Sequence, residues 1–320
     1  MSANEKIAFG PVPSRRLGRS LGINNVPPKI CSYSCVYCQL GRTIQLSNAR
    51  RPFYPPEEIV NRVQHRVSEV TERGESIDYL TFVPDGEPTL DVNLGREIEQ
   101  LKSLGISIAV ISNASLIDRH DVRTDLMNAD WVSLKVDAVH ENIWHQLDRP
   151  YGTLRFDEVL KGMIQFSENF QGLLTTETML VQGLNDNEAH LRDVSRFLDE
   201  LVPDVAYLAI PTRPPAEKWV RPPQESVINR AYQILSERLE GVKVEYLIGY
   251  EGDAFVSTGN VETDLLSITA VHPMREQAVE RMLRRAGADW SLIQGLIAQG
   301  QLIEAQYRGR TFYMRRFRRS

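Results

Sequence analysis

Residues 31–38 read CSYSCVYC, and this stretch holds all three cysteines of the 320-residue chain. The spacing is C-x3-C-x2-C, with Tyr37 directly before the last thiol. Three thiols packed so closely, with none elsewhere, exclude a disulfide framework and a second cysteine-ligated cluster. A tetrahedral structural zinc site wants four ligands, so here it would need a distant fourth such as His65 or His120. An iron–sulfur cubane is the other reading: Cys31, Cys35 and Cys38 would hold three irons and leave one open for a reacting ligand.

Outward from the cysteines, short apolar runs alternate with amphipathic stretches of helical period from Tyr79 to about Gly252. That alternation is the pattern of a parallel sheet with crossover helices. The expected strands are YLTFV (79–83), ISIAVIS (106–112), WVSLKV (131–136), LLTTETMLV (173–181), VAYLAI (205–210) and VKVEYLI (242–248), with LGINNV (21–26) before them as a possible first. Pro55 and Pro56 open a helix with Ile59, Val60, Val63 and Val67 on one face. Asp186 or Asn187 can cap another that carries Leu191, Val194, Phe197 and Leu198. The fold class is therefore α/β: a partial (β/α)6-type TIM barrel, open or closed, over residues 1–253. Polar residues gather just after strand ends, at 85–87, Asn113, Asp137 and 211–213, where such folds place their chemistry.

The pattern changes in EGDAFVSTGN (251–260), which marks a boundary before a domain over 254–320. Ala278, Val279, Met282 and Leu283 form a helical stripe, Asp289 can cap a helix with Trp290, Ile293, Leu296 and Ile297, and Gly300 can end it. LIEAQYRGRTFYMRRF (302–317) reads as two strands turning at Arg308 and Gly309. Two helices and a hairpin predict a small winged-helix-like module. Net charge is −5, yet both ends are basic. Residues 1–53 carry eight Lys and Arg against Glu5 alone, and residues 301–320 carry six Arg against Glu304. Such asymmetry marks either an anionic partner or a solvated surface. No run approaches the roughly 18 apolar residues of a membrane span, and MSANEKIAFGPVPSRR lacks a secretory signal, so no membrane partner and a cytoplasmic location are expected.

The cysteine spacing with its aromatic Tyr37 resembles the signature of the radical S-adenosylmethionine (SAM) superfamily, and the likeness extends over roughly residues 8–250. The resemblance implies a [4Fe–4S] cluster on Cys31, Cys35 and Cys38. It also implies SAM on the open iron, a reduced cluster that cleaves it to a 5′-deoxyadenosyl radical, and an electron donor such as flavodoxin or ferredoxin. Tyr37 belongs to the cofactor site by its place in the signature. VPDGEPTL (83–90) matches the family's glycine–glutamate motif, which assigns Gly86, Glu87 and Pro88 to the SAM amino group. Physically, Gly86 permits close backbone approach and Glu87 accepts from an ammonium. Ser112 and Asn113 take the positions that contact the methionine or ribose moiety. Lys135 either binds the SAM carboxylate or pairs with Asp137, the next polar residue of that strand end. Glu177 and Met179 resemble the ribose-contacting strand of relatives, although a methionine in an apolar strand reads first as core, and Ile210 and Pro211 flank adenine.

GPVPSRRLGRSLGI, CVYCQLGRT, LDRPYGTL and PTRPPAEKWV look like the lineage related to the tRNA wyosine-modifying oxidoreductases, whose relatives append a C-terminal module. Authentic wyosine synthases use a second cluster and a lysine that engages pyruvate. No cysteine remains here for that cluster, which argues against tricyclic base synthesis and against peptide-modifying relatives with auxiliary clusters. Lys29 could take a lysine role by position, a phosphate contact, or simple solvation. Catalytic residues are not assigned by the sequence. Three readings of function stay open: an enzyme acting on RNA, tRNA included; an enzyme acting on a protein or small anionic metabolite, such as a glycyl-radical activase; and a non-catalytic iron–sulfur sensor whose module binds DNA.

Overall fold

The computed structural model describes residues 7–248, 260–271 and 273–316. The chain opens with an antiparallel hairpin, β1 (Ala8–Ser14) and β2 (Gly18–Ile23), followed by a small parallel pair, β3 (Ile30–Cys31) and β4 (Gln45–Leu46). Then come α1 (Pro56–Thr71), β5 (Tyr79–Phe82), α2 (Leu94–Leu101), β6 (Ser107–Ser112), α3 (His120–Leu126), β7 (Trp131–Lys135), α4 (Glu141–Leu147), α5 (Phe156–Ser167), β8 (Leu173–Met179), α6 (Glu188–Leu201), β9 (Val205–Ala209), α7 (Glu225–Arg238) and β10 (Lys243–Leu247). One eight-stranded sheet runs β1-β2-β5-β6-β7-β8-β9-β10, parallel throughout except for β1. The edge strands β1 and β10 do not pair with each other, so the barrel is open among the described residues.

The strands expected from Tyr79 onward fall where their apolar runs predict, because the parallel strands are buried on both faces: Leu80, Phe82, Ile108, Val110, Val132, Leu134, Leu174 and Leu208 all lie in the core. The possible first strand expected at 21–26 is β2, which starts at Gly18 and ends at Ile23. α1 starts at Pro56, where a missing N–H costs nothing, and buries Ile59, Val63 and Val70. Asn187 caps α6 by accepting from the His190 N–H at 2.9 Å. All strands of the parallel set end on one side, and the polar residues after those ends are brought together there.

The C-terminal part adds α8 (Val261–Val271), β11 (Met274–Arg275), α9 (Glu276–Arg285), α10 (Ser291–Ala298), β12 (Leu302–Tyr307) and β13 (Arg310–Arg315). Its sheet runs β11-β13-β12, and the β12–β13 turn falls on Arg308 and Gly309, at φ 50° and 69°. The expected stripe of Ala278, Val279, Met282 and Leu283 packs into a cluster of its own with Leu265, Ile293, Leu302 and Tyr313. The order is helix–strand–helix–helix–hairpin, with α8 and β11 standing before the two expected helices and hairpin. The boundary placed in 251–260 lies outside the described residues except for Asn260, as do Arg318 and Arg319.

α8 seats the module on the barrel. Ala270 packs on Phe9, and Arg66 of α1 donates to the Gly10 carbonyl at 2.8 Å and pairs with Asp264 at 3.1 Å. From the hairpin, the Tyr307 hydroxyl donates to the Pro211 carbonyl at 2.9 Å.

Candidate functional site

The cysteine loop leaves β3 at the mouth of the barrel and is clasped by backbone bonds. Ser34 N–H and Val36 N–H donate to the Asp148 and Leu147 carbonyls at 3.0 and 2.9 Å, and Tyr151 N–H to Ser32 at 2.8 Å. On the far side Glu217 N–H donates to the Val36 carbonyl at 3.0 Å, while its carboxylate takes Arg42 at 2.9 Å and Arg149 at 2.6 Å. LDRPYGTL and PTRPPAEKWV, quoted above only as marks of lineage, are thus the two jaws that hold the loop. Trp144 donates to the Tyr33 hydroxyl at 3.0 Å and fixes the loop's buried side.

The loop closes over a cavity of about 290 Å3 whose wall includes Cys31, Cys35, Cys38, Tyr37, Gly86, Glu87, Ser112, Asn113, Lys135, Glu177, Ile210 and Pro211. Met179 lines it too, while packing against the core cluster of Val36, Tyr37 and Leu147. Two expected site residues are not in the wall. Pro88 opens the turn behind Glu87, where its carbonyl accepts from Asn25 at 3.1 Å. Asp137 is buried, its carboxylate taken by the Met179 N–H at 2.6 Å and by the Tyr37 hydroxyl. It anchors the Tyr37 ring instead of facing the cavity.

Gly86 is required by close approach, but to protein: a Cβ there would stand 2.0 Å from the Ile30 carbonyl oxygen. Its contact sets the cysteine loop against the turn after β5. Glu87 is almost wholly buried. Its Oε1 accepts from Thr89 N–H at 3.1 Å, Thr89 Oγ1 at 2.6 Å and Ser112 Oγ at 2.7 Å, and its Oε2 from Asn113 N–H at 2.8 Å. Oε1 is saturated and Oε2 keeps one lone-pair direction. Burial raises the Glu87 carboxyl above its usual range, opposed by those donors. Asn113 Nδ2 reaches the Cys31 sulfur at 3.5 Å.

Lys135 donates to Glu177 at 2.7 Å, stands 3.8 Å from Asp137, and lies 4.8 Å above the Tyr37 ring. Arg16, missed from sequence because its role depends on a hairpin turn, reaches Glu177 at 2.7 Å between the Trp131 and Tyr207 rings. Burial opposes the charge on Glu177, but Lys135 and Arg16 outweigh it and bring the carboxyl down to about 2.

The three thiols fit an iron cluster. Burial first, then the Glu87 charge, pushes Cys31 up to about 12, and burial raises Cys35 and Cys38 as well. Such thiols stay protonated unless cationic iron stabilises the thiolates. Among the described residues no three His, Cys, Asp or Glu are gathered to hold a single ion, and His65 and His120 lie on α1 and α3, away from the cavity. One zinc ion needs its ligands around one centre; thiolates on separate irons stand farther apart.

The family description Radical SAM superfamily matches residues 25–194. The UPF0026 protein of Methanocaldococcus jannaschii is 48% identical over 309 residues, covering 97% of this chain and 96% of that one. Among solved structures, TYW1 with a lysine-pyruvate adduct bound is 17% identical with a TM-score of 0.50, covering 68% of this chain and 73% of its own. Streptococcus suis SuiB bound to S-adenosylmethionine is 13% identical with a TM-score of 0.53, covering 74% and 53%. With the cysteine loop seated over a cavity at the strand ends, the chain belongs to the radical SAM superfamily, whose enzymes use a [4Fe–4S] cluster and SAM.

Proposed function

We propose that this enzyme cleaves SAM reductively at one [4Fe–4S] cluster and abstracts hydrogen from an anionic substrate, RNA being the substrate class favoured. The observation that carries the reading is the convergence of Cys31, Cys35 and Cys38 with Glu87, Asn113, Lys135 and Glu177 on one cavity. When bound, the cluster supplies the electron that splits SAM into methionine and a 5′-deoxyadenosyl radical, drawn from a flavodoxin- or ferredoxin-type donor. The chain's own groups position and shield. Oε2 of Glu87 accepts from the SAM ammonium, Glu177 accepts from ribose hydroxyls, and Lys135 and Arg16 keep Glu177 ionised and aimed. Met179, Ile210 and Pro211 give the apolar wall for adenine. Residues 1–253 supply the chemistry, and residues 254–320 supply substrate contacts.

Anaerobically reconstituted protein should hold about four irons per chain and form 5′-deoxyadenosine from SAM under a strong reductant. Cys35→Ala should do neither, because two thiolates cannot hold a cubane with one open iron. Stoichiometric zinc, with no iron taken up on reconstitution, overturns the reading. The RNA preference is supported by Arg308, Arg310, Arg315 and Arg316 on the terminal hairpin. If total tRNA binds no better than a matched acidic polymer near physiological salt, the substrate is a protein or small anionic metabolite instead.

A further inference from the structure

A second cavity, of about 750 Å3, opens between the loop after Cys38, the turn at 214–216 and the C-terminal sheet. Gln39 and Leu40 line both cavities, so one short segment separates the two. The second lining combines apolar and cationic side chains: Leu40, Pro214 and Met314 with Lys29, Arg42, Arg315 and Arg316, and no Asp or Glu lines it among the described residues. Lys29 is held by Asp85 at 3.3 Å and Arg42 by Glu217 at 2.9 Å, each acid standing behind the wall. Lys29 is buried, which corrects the solvated reading, and it adopts φ 65°, a left-handed conformation that side chains rarely hold. A buried cation kept on strained backbone beside a cavity marks a functional position.

We infer that this cavity binds a nucleotide, its phosphate against the Arg315 and Arg316 side and its base against Leu40, Pro214 and Met314. The inference rests on the radical SAM reading, since it sets the nucleotide next to the cavity where hydrogen abstraction starts. A terminal phosphate brings nearly two charges and three acceptor oxygens, a diester one charge and two such oxygens, and either suits paired guanidinium forks. A plain carboxylate would leave the apolar residues without a partner. The volume lies within the range of small-ligand sites. The nucleotide is either free or one unit of an RNA strand.

The test uses the full chain with its cluster reconstituted and SAM bound. The probes are inorganic tripolyphosphate, a mixture of nucleoside monophosphates, a short single-stranded oligoribonucleotide, and citrate as a carboxylate control. Replacing Arg315 and Arg316 together with Gln should weaken tripolyphosphate and nucleotide binding roughly ten- to hundredfold, the range for charge-assisted contacts. Ile303→Glu, which puts a carboxylate into the cavity from β12, should weaken binding in the same direction. Replacing Arg284 and Arg285 of α9 with Gln removes the same charge from an exposed face of the module outside the cavity and should leave affinity unchanged. Competition by monophosphates assigns the cavity to a free nucleotide, and competition by the oligonucleotide alone assigns it to RNA. The inference is overturned if citrate binds as tightly as tripolyphosphate, if neither nucleotide probe competes, or if the α9 variant loses as much as the cavity variant. Should the parent form no 5′-deoxyadenosine from SAM, the radical SAM reading fails on its own, whichever anion binds.

Discussion

The carboxylate of Glu87 joins the turn after β5 to the end of β6, since Thr89, Ser112 and Asn113 all donate to it. In Glu87→Gln the amide nitrogen cannot accept where an oxygen did, and the charged acceptor is gone. SAM binding should weaken by about 1.5–3 kcal/mol, the worth of a charge-assisted bond, and the melting temperature should fall with it. A lower melting temperature with unchanged SAM affinity, read by calorimetry, would confine Glu87 to its strut role. Glu97 poses a different problem. It sits fully buried on α2 beside Asn25, with Asp91 close by. Burial first, then the nearby Asp91, pushes its carboxyl up to about 9. A folded-state pKa above the unfolded value means that the native chain holds a proton the unfolded chain has released. The group therefore removes stability as pH rises from about 4.3 toward about 9. Glu97→Gln, neutral at every pH, should be more stable than the parent by roughly 1–3 kcal/mol near pH 8 and nearly equal to it at pH 4. Denaturant melts that show the same difference at both pH values would exclude this titration.

Among the elements, the parallel strands could be read from sequence because burial on both faces makes each a continuous apolar run. β1 could not: Gly10, Pro11 and Pro13 read as loop, and only an edge strand tolerates such residues, here with a bulge between Phe9 and Val12. α8 escaped for the opposite reason. Asp264, Leu265, Leu266, Ile268, Thr269 and Ala270 are all buried, so the helix has no polar face and no helical stripe to detect. At the site, residue type and spacing identified the cavity wall, whereas the supports came from far along the chain. Arg16 lies 161 residues from Glu177, and Glu217 lies 175 from Arg42, separations that no local pattern encodes. Glu217 tests the clasp at this scale. Glu217→Gln removes the charge that holds Arg42 and Arg149, yet keeps the backbone bond to Val36. The variant should take up a full complement of iron anaerobically and then lose the visible absorbance of the cluster faster than the parent on exposure to air. Equal loss rates would show that the backbone bonds alone secure the loop.

For the whole molecule, the central question is whether the C-terminal module moves independently of the barrel. Its contacts say that it is locked: α8 packs along β1, Tyr307 holds the Pro211 carbonyl of the cofactor wall, and the Arg66–Asp264 pair lies between the two parts with both side chains almost fully buried. A buried pair of this kind adds little net stability when intact, but removing one partner leaves the other charged and desolvated, at a cost of roughly 3–5 kcal/mol. In Asp264→Asn, Arg66 keeps its bond to Gly10 and its pairing with the partly exposed Glu69 at 3.2 Å, but loses its buried counter-charge. The penalty falls on the junction and not on either core, so the module should come away before the barrel melts. Calorimetry should show one transition for the parent and two for the variant, the earlier one removed when the module is cut off by limited proteolysis. Joint replacement of Arg66 by Met and Asp264 by Leu, which leaves no buried charge, should restore a single transition near the parental temperature. If Asp264→Asn melts in one step at the parental temperature, the pair does not join the two parts, and α8 packing together with the Tyr307–Pro211 bond fixes the module over the second cavity.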